Sequence, residues 1–360
     1  MKRGIYILIL VLGIVACEEI YRPDIDQVDN LLVVEAMVRT DKTENTIHLY
    51  RSKGFYDESY IYPKVTGAKV YLIDDSGSST QCIETSSGDY TLYETISPNA
   101  EYQLKIELDG DEYISDFQQV PTEPTLDEVY AERAYKVFEQ GTINSSEDIV
   151  NEYGVQVYAD ISENGNVSHY RFYGRKVIQY LDSYDTIVEG FPLTLPIYIW
   201  NSVYPTGTFN VAGPPEYSMS NDVKKHPLEF FKNDYKEFMP DTMSFQGWIY
   251  LIDEFGINEN SYNYYKDINQ QLNADGRIFD PVYVQLQGNI RCETDPDKVV
   301  LGNFEITSYT ESRYFLTYSK FKDDFQLKRI PYFFEIPLKG YEKNNRPDFW
   351  ESLNKIYPDE

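Results

Sequence analysis

The chain has 360 residues, with 59 Asp and Glu against 32 Lys and Arg, and a formal charge of −27. A surface this acidic repels nucleic acid, and no basic patch offsets it. With 34 Tyr and 19 Phe there is material for a sizeable core, which excludes a disordered chain, and the length suits two or three domains.

Residues 1–16 form an export signal. Lys2 and Arg3 give a short positive start, Gly4 to Val15 is almost unbroken apolar sequence, and Ala16-Cys17 follows. The apolar run is too short to span a bilayer and meets Glu18-Glu19 directly, so it is a cleaved signal rather than an anchor helix. Ile14-Val15-Ala16-Cys17 resembles a bacterial lipobox, whose Cys thiol is diacylated before cleavage. Two or three acyl chains hold a protein on a membrane where one does not. Glu18-Glu19 resembles an acidic tag that sends lipoproteins to the cell surface. Losing Lys2 and Arg3 with the signal takes the formal charge from −27 to −29. Residues 17–30, with Pro23, Asp24, Asp26 and Asp29, form an acidic tether.

The abundance of Tyr, Val, Ile, Phe and Thr predicts a mainly β protein. Residues 31–120 predict an immunoglobulin-like β-sandwich. Leu31 to Val38 is a first strand, Ile47 and Leu49 alternate with His48, and Ala68 to Ile73 is the clearest strand, ending at Asp74-Asp75-Ser76-Gly77. Tyr102 to Leu108 alternates before Asp109-Gly110, a hairpin signature. Short strands at about ten-residue spacing suit such a sandwich. Pro121 and Pro124 mark a stiff connector, with a linker over 121–150.

Residues 151–360 predict a larger β-rich domain with one or two helices. Gly154 to Ile161 and His169 to Ile178, around Asn164-Gly165, predict a long hairpin. Residues 192–246 hold seven prolines with aromatics between them. They predict a long insertion without regular elements, a region that is usually functional or mobile. Phe191, Tyr198, Trp200, Tyr204, Phe209 and Tyr217 there are the candidate interaction surface, or else a hydrophobic lid over the sheet. Ser261 to Asp275 predicts a helix, capped by Ser261 and ended by Gly276. Strands resume at Val282, Val299 and Tyr314.

The runs Leu32-Val-Val-Glu-Ala, Gly67 to Gly77, Gly88-Asp-Tyr, Gly276 to Pro281, Gly288-Asn-Ile and Val300 to Phe304, taken with Cys17, resemble a known family, the lipoproteins of Bacteroidetes that carry the domain of unknown function DUF4249. Cys17, Leu32-Val-Val-Glu-Ala, Gly67 to Gly77 and Gly88-Asp-Tyr match in order. Ser261 to Ile268 resembles the family's helix, and Gly276 to Pro281, Gly288-Asn-Ile and Val300-Leu-Gly-Asn-Phe304 resemble its most recognisable run. The family commonly has a bulky aromatic after the glycine where this chain has Asn303, and several relatives carry extra Cys pairs that are missing here. The resemblance implies no enzymatic role and no catalytic residues. It implies a surface partner of a TonB-dependent outer-membrane receptor.

No catalytic or metal motif is present. His48, His169 and His226 lack partners at helical or hairpin spacing. Asp24-x-Asp26 and Asp295-Pro-Asp297 could touch Ca²⁺ but do not continue as a calcium loop. Asp185-Thr186-Ile187 and Asp241-Thr242-Met243 fit a loose O-glycosylation triplet. Cys82 and Cys292, placed in different domains, are expected to be buried free thiols without a CxxC site. No cofactor is expected. The expected protein is an outer-membrane lipoprotein, anchored through Cys17 and facing the exterior, non-enzymatic, and a partner of a TonB-dependent receptor. The alternatives are a structural subunit of an outer-membrane assembly and a hydrolase with a carboxylate pair.

Overall fold

The computed structural model describes residues 30–54, 61–140, 148–205, 207–215, 218–232, 244–273, 286 and 288–316. Cys17, Glu18, Glu19, Tyr217 and the triplet at Asp241 lie outside them. In chain order the first segment supplies β1 (Leu32–Arg39), β2 (Glu44–Arg51), β3 (Lys69–Asp74), β4 (Ser79–Gln81), β5 (Ile83–Ser86), β6 (Asp89–Tyr93), β7 (Glu101–Leu108), β8 (Asp111–Ser115) and β9 (Gln118–Gln119). The second supplies β10 (Leu126–Gln140), β11 (Asp148–Ile161), β12 (His169–Val188), β13 (Phe191–Val203), β14 (Asn210–Ala212), β15 (Val223–Lys232), β16 (Ser244–Ile257), helix α1 (Glu259–Leu272), β17 (Ile290–Cys292) and β18 (Val300–Leu316). The protein is mainly β.

Among the described residues the strands form three sheets. One has nine strands in the order β13-β12-β16-β18-β1-β2-β6-β5, with β14 also on β12. Its even-numbered residues on β1 (Leu32, Val34, Ala36, Val38) and on β18 (Phe304, Ile306) are buried, while the alternate residues face the other way. Two smaller sheets back this one face. The six-stranded sheet β17-β8-β7-β3-β4, with β9 on β7, closes a core containing Val70, Leu104 and Ile106. The three-stranded sheet β10-β11-β15 closes a second core containing Val157, Tyr170 and Ile252.

The Asp109-Gly110 turn forms as its sequence predicts. Both residues have positive φ (53° and 93°), and Leu108 pairs with Asp111, as a two-residue hairpin loop requires. The sandwich of the first segment, however, is completed from the far end of the chain. β18 pairs in parallel with β1 from Leu32↔Val300 to Arg39↔Thr307, and β17 adds to β8. Strand pairing therefore crosses the expected boundary at residue 120 in both sheets. Cys82 and Cys292, expected in different domains, share one core. Both are buried and free. They sit at opposite edges of the six-stranded sheet, four strand spacings or roughly 19 Å apart, too far for a disulfide.

Three further expectations are corrected. The expected hairpin across Asn164-Gly165 does not form, because β11 pairs with β10 and β15 while β12 pairs with β13, β14 and β16. That turn instead carries the chain from one sheet to the other. It also holds the connector: Thr122 N–H donates to Asn166 Oδ1 at 2.7 Å and Asn166 Nδ2 to the Val120 carbonyl at 3.0 Å.

The segment 192–246, expected to lack regular elements, contains β13, β14 and β15. Its prolines do not prevent this because of where the strands lie. Pro192 and Pro196 are on β13, the outermost strand of its sheet, and Pro227 is on edge strand β15 at a register shift. An edge position or bulge leaves the missing N–H without consequence.

Helix α1 starts earlier than expected, with Asn258 rather than Ser261 at its N-cap. Ser261 is buried inside the helix, where its hydroxyl accepts a hydrogen bond from Asn303 Nδ2 at 3.3 Å.

Candidate functional site

The six aromatics of the candidate surface are dispersed. Phe191 begins β13 at the hairpin apex and is 75 % exposed. Tyr198 and Trp200 pair by backbone with Leu181 and Gln179, and their side chains are outside the described set. Tyr204, just beyond β13, is exposed, with the Arg175 guanidinium 5.8 Å from its ring centre. Phe209 packs on Tyr265 of α1 with ring centres 4.7 Å apart. Asn269 clamps its backbone from both sides, accepting from Phe209 N–H at 2.7 Å and donating to its carbonyl at 2.6 Å. Phe209 is 39 % exposed and packs against the helix rather than over the sheet. Phe191 and Tyr204 stand at opposite ends of a thirteen-residue strand, roughly 40 Å apart, so the described members share no concave aromatic pocket.

What the sequence pattern missed is aliphatic. Ile187 (73 % exposed), Val188 and Leu193 surround Phe191 at the same apex. They escape notice as members of alternating strands, and become visible only when the hairpin is seen to outrun its neighbours.

The open face of the nine-stranded sheet carries a polar and aromatic cluster beneath α1. Arg171 Nη2 donates to Glu305 Oε1 at 3.1 Å, and Tyr265 Oη donates to the same oxygen at 3.0 Å. Arg171 lies 4.4 Å from the Phe255 ring centre and 5.0 Å from that of Tyr265. Arg39 lies 3.7 Å from that of Tyr309. Guanidinium groups between aromatic planes tie β1, β12, β16, β18 and α1 together. Burial, with Glu305 adding to it, raises the Tyr265 hydroxyl well above its ordinary range, so it is a donor at any physiological pH. The cluster fixes the helix to the sheet. Glu305→Ala is expected to cost about 3 kcal/mol in urea unfolding, because Arg171 is left buried without its counter-charge. Adding Arg171→Met should recover part of that loss; additive costs would show the two residues to be uncoupled.

A second buried carboxylate, Glu254, is on β16 in the opposite core. It is fully buried and neither side-chain oxygen has a partner. Burial raises its pKa from 4.5 to about 8. The register sets Glu254 beside Phe172 and Thr310, on the face opposite Glu305. The two buried acids therefore line no common cleft and cannot flank one glycosidic bond.

The histidines are similarly dispersed. His48 bonds Asp89 at 2.8 Å; Ser86 and His48 together hold Asp89 down to about 2. Burial lowers His226 to about 4. Asp295 is occupied by the Asp297 backbone N–H at 3.2 Å. Among the described residues, no three His, Cys, Asp or Glu converge as metal ligands. A cleft of about 500 Å³ lies beside β17. Its cations are taken, Arg291 by Asp116 and Glu293 and Lys298 by Asp111.

The run Gly288-Asn-Ile and Val300 to Phe304 has a structural role. Asn289 acts as a substitute strand partner for Phe304, accepting its N–H at 2.8 Å and donating to its carbonyl at 2.7 Å. Gly302 lies against the β1 backbone at φ 101°. The family model for a domain of unknown function, DUF4249, matches residues 18–313. The chain belongs to the DUF4249 family. In this member Asn289 and the Val300–Phe304 run lie where β1, β18 and α1 meet. No curated protein matches the chain.

Proposed function

We propose that this DUF4249 protein is an outer-membrane lipoprotein, anchored through Cys17, facing the cell exterior and acting as a non-enzymatic partner of a TonB-dependent receptor. The observation that carries the reading is the signal that ends in Ile14-Val15-Ala16-Cys17 and is followed by Glu18-Glu19. The family match begins at residue 18, immediately after the lipidated position. The tether to Asn30 spans at most about 45 Å, enough to set a folded body off the membrane. Among the described residues no helix is long and apolar enough to cross a membrane. The exposed apolar apex favours contact with a protein over direct capture of a nutrient, which also keeps the structural-subunit reading in play.

Cys17→Ser is expected to move the protein from the membrane fraction to the soluble fraction, read by immunoblot after cell fractionation. Unchanged membrane association would defeat the lipid-anchor reading.

A further inference from the structure

Among the described residues, the far end of the β12–β13 hairpin stands clear of the rest of the sheet. Beyond the Leu181↔Ser244 pair, β12 is paired among the described residues with β13 alone, so its last seven residues extend roughly 20 Å. The apex is Glu189-Gly190, both at positive φ (53° and 88°). Val188 pairs with Phe191, Ile187 with Pro192 and Thr186 with Leu193. Strand alternation then puts Val188, Phe191 and Leu193 on one face and Ile187 with Pro192 on the other. Val188 is 48 % and Leu193 44 % exposed, so the ribbon is apolar on both sides at its tip.

Two features decide what fits it. A flat surface covers only one face of a ribbon, whereas an occupant that shields Ile187 and Phe191 together has two walls. Glu189 is exposed at the very apex, between the apolar residues it would have to accompany. Hydrocarbon would take that carboxylate in with them, at a large penalty; a protein can offer it a cation. Asp185, nearby and also exposed, accepts from Thr194 Oγ1 and adds no positive charge that would favour anionic lipid. We propose that this tip is a wedge that enters a two-walled apolar slot on a protein partner, with a Lys or Arg of that slot meeting Glu189. The inference rests on the reading of the chain as a partner protein and locates the contact within it.

The test is photo-crosslinking of the full-length chain in its own cells, with a photoreactive amino acid at position 187 or at position 191. The expected result is one and the same protein crosslinked from both positions. Adding Glu189→Lys should reduce the yield at least tenfold, and a probe at Met219, also fully exposed, should not reach that protein. Crosslinks from position 191 alone, to lipid, to a second copy of this chain, or from neither position would overturn the wedge, as would a yield unchanged by Glu189→Lys. If an outer-membrane receptor still co-purifies while the tip crosslinks to nothing, the wedge fails and the partner reading stands.

Discussion

Gly302→Ala is expected to be the most damaging single substitution in the described fold. A Cβ at this position would lie 1.8 Å from the Val34 carbonyl oxygen, a backbone atom in a paired strand that cannot move aside. The backbone there has φ 101°, which an L side chain rarely adopts. Gly288 is equally crowded, since its Cβ would fall 1.5 Å from the Gly302 carbonyl oxygen. Overlap and backbone strain together should cost at least about 4 kcal/mol, a large share of the 5–15 kcal/mol that holds a typical domain. The parallel pairing of β1 with β18 is what is lost, and with it the closure of both layers of the first segment. Gly110→Ala is the internal control. Its φ is 93°, but a Cβ there meets nothing within 4 Å, so only the conformational penalty of about 1–2 kcal/mol applies. Thermal unfolding followed by circular dichroism compares the two. Equal shifts at both positions would show that the close approach to Val34 does not matter.

The second large effect is a pH dependence centred on Glu254. Its folded-state pKa is raised from 4.5 to about 8 by burial. The folded protein therefore keeps a proton that the unfolded chain gives up above pH 4.5. Stability is fully present below about pH 4.5 and is lost as pH rises toward 8, at about 1.4 kcal/mol per pH unit. At pH 7 the loss amounts to about 3 kcal/mol relative to acid conditions. Glu254→Gln removes the titration, so its stability advantage over wild type should grow from pH 5 to pH 8 and then level off. Urea unfolding at four pH values reads this directly. Parallel curves for the two proteins would place Glu254 in contact with solvent or with a partner that keeps it charged.

Much of the fold was legible because side-chain alternation and turn chemistry are local. β1, β3 and β7 announce themselves through residues such as Val34, Leu72 and Ile106, and Asp109-Gly110 specifies its own hairpin. The illegible part is long-range. Nothing near Leu32 indicates that its partner is Val300, and nothing near Asn164-Gly165 says that the flanking strands go to different sheets. Prolines misled for a related reason. Pro192, Pro196 and Pro227 would break a central strand, and whether β13 and β15 lie at an edge is a property of the whole sheet. At the exposed hairpin apex only Phe191 stands out in the sequence, as an aromatic in unusual company. The aliphatic Ile187, Val188 and Leu193 read as ordinary strand residues until the register exposed them. Glu254 and Glu305 were lost among 59 acids, since burial is not written in their immediate neighbours.

The function proposed above is that of a lipid-anchored binding partner at the outer membrane. Affinity purification of the full-length chain from detergent-solubilised outer membranes tests it most directly. The account predicts that a TonB-dependent barrel receptor co-purifies in near-equal amount, and that Cys17→Ser, which takes the chain off the membrane, lowers that recovery. Recovery of the chain with no barrel protein would contradict it.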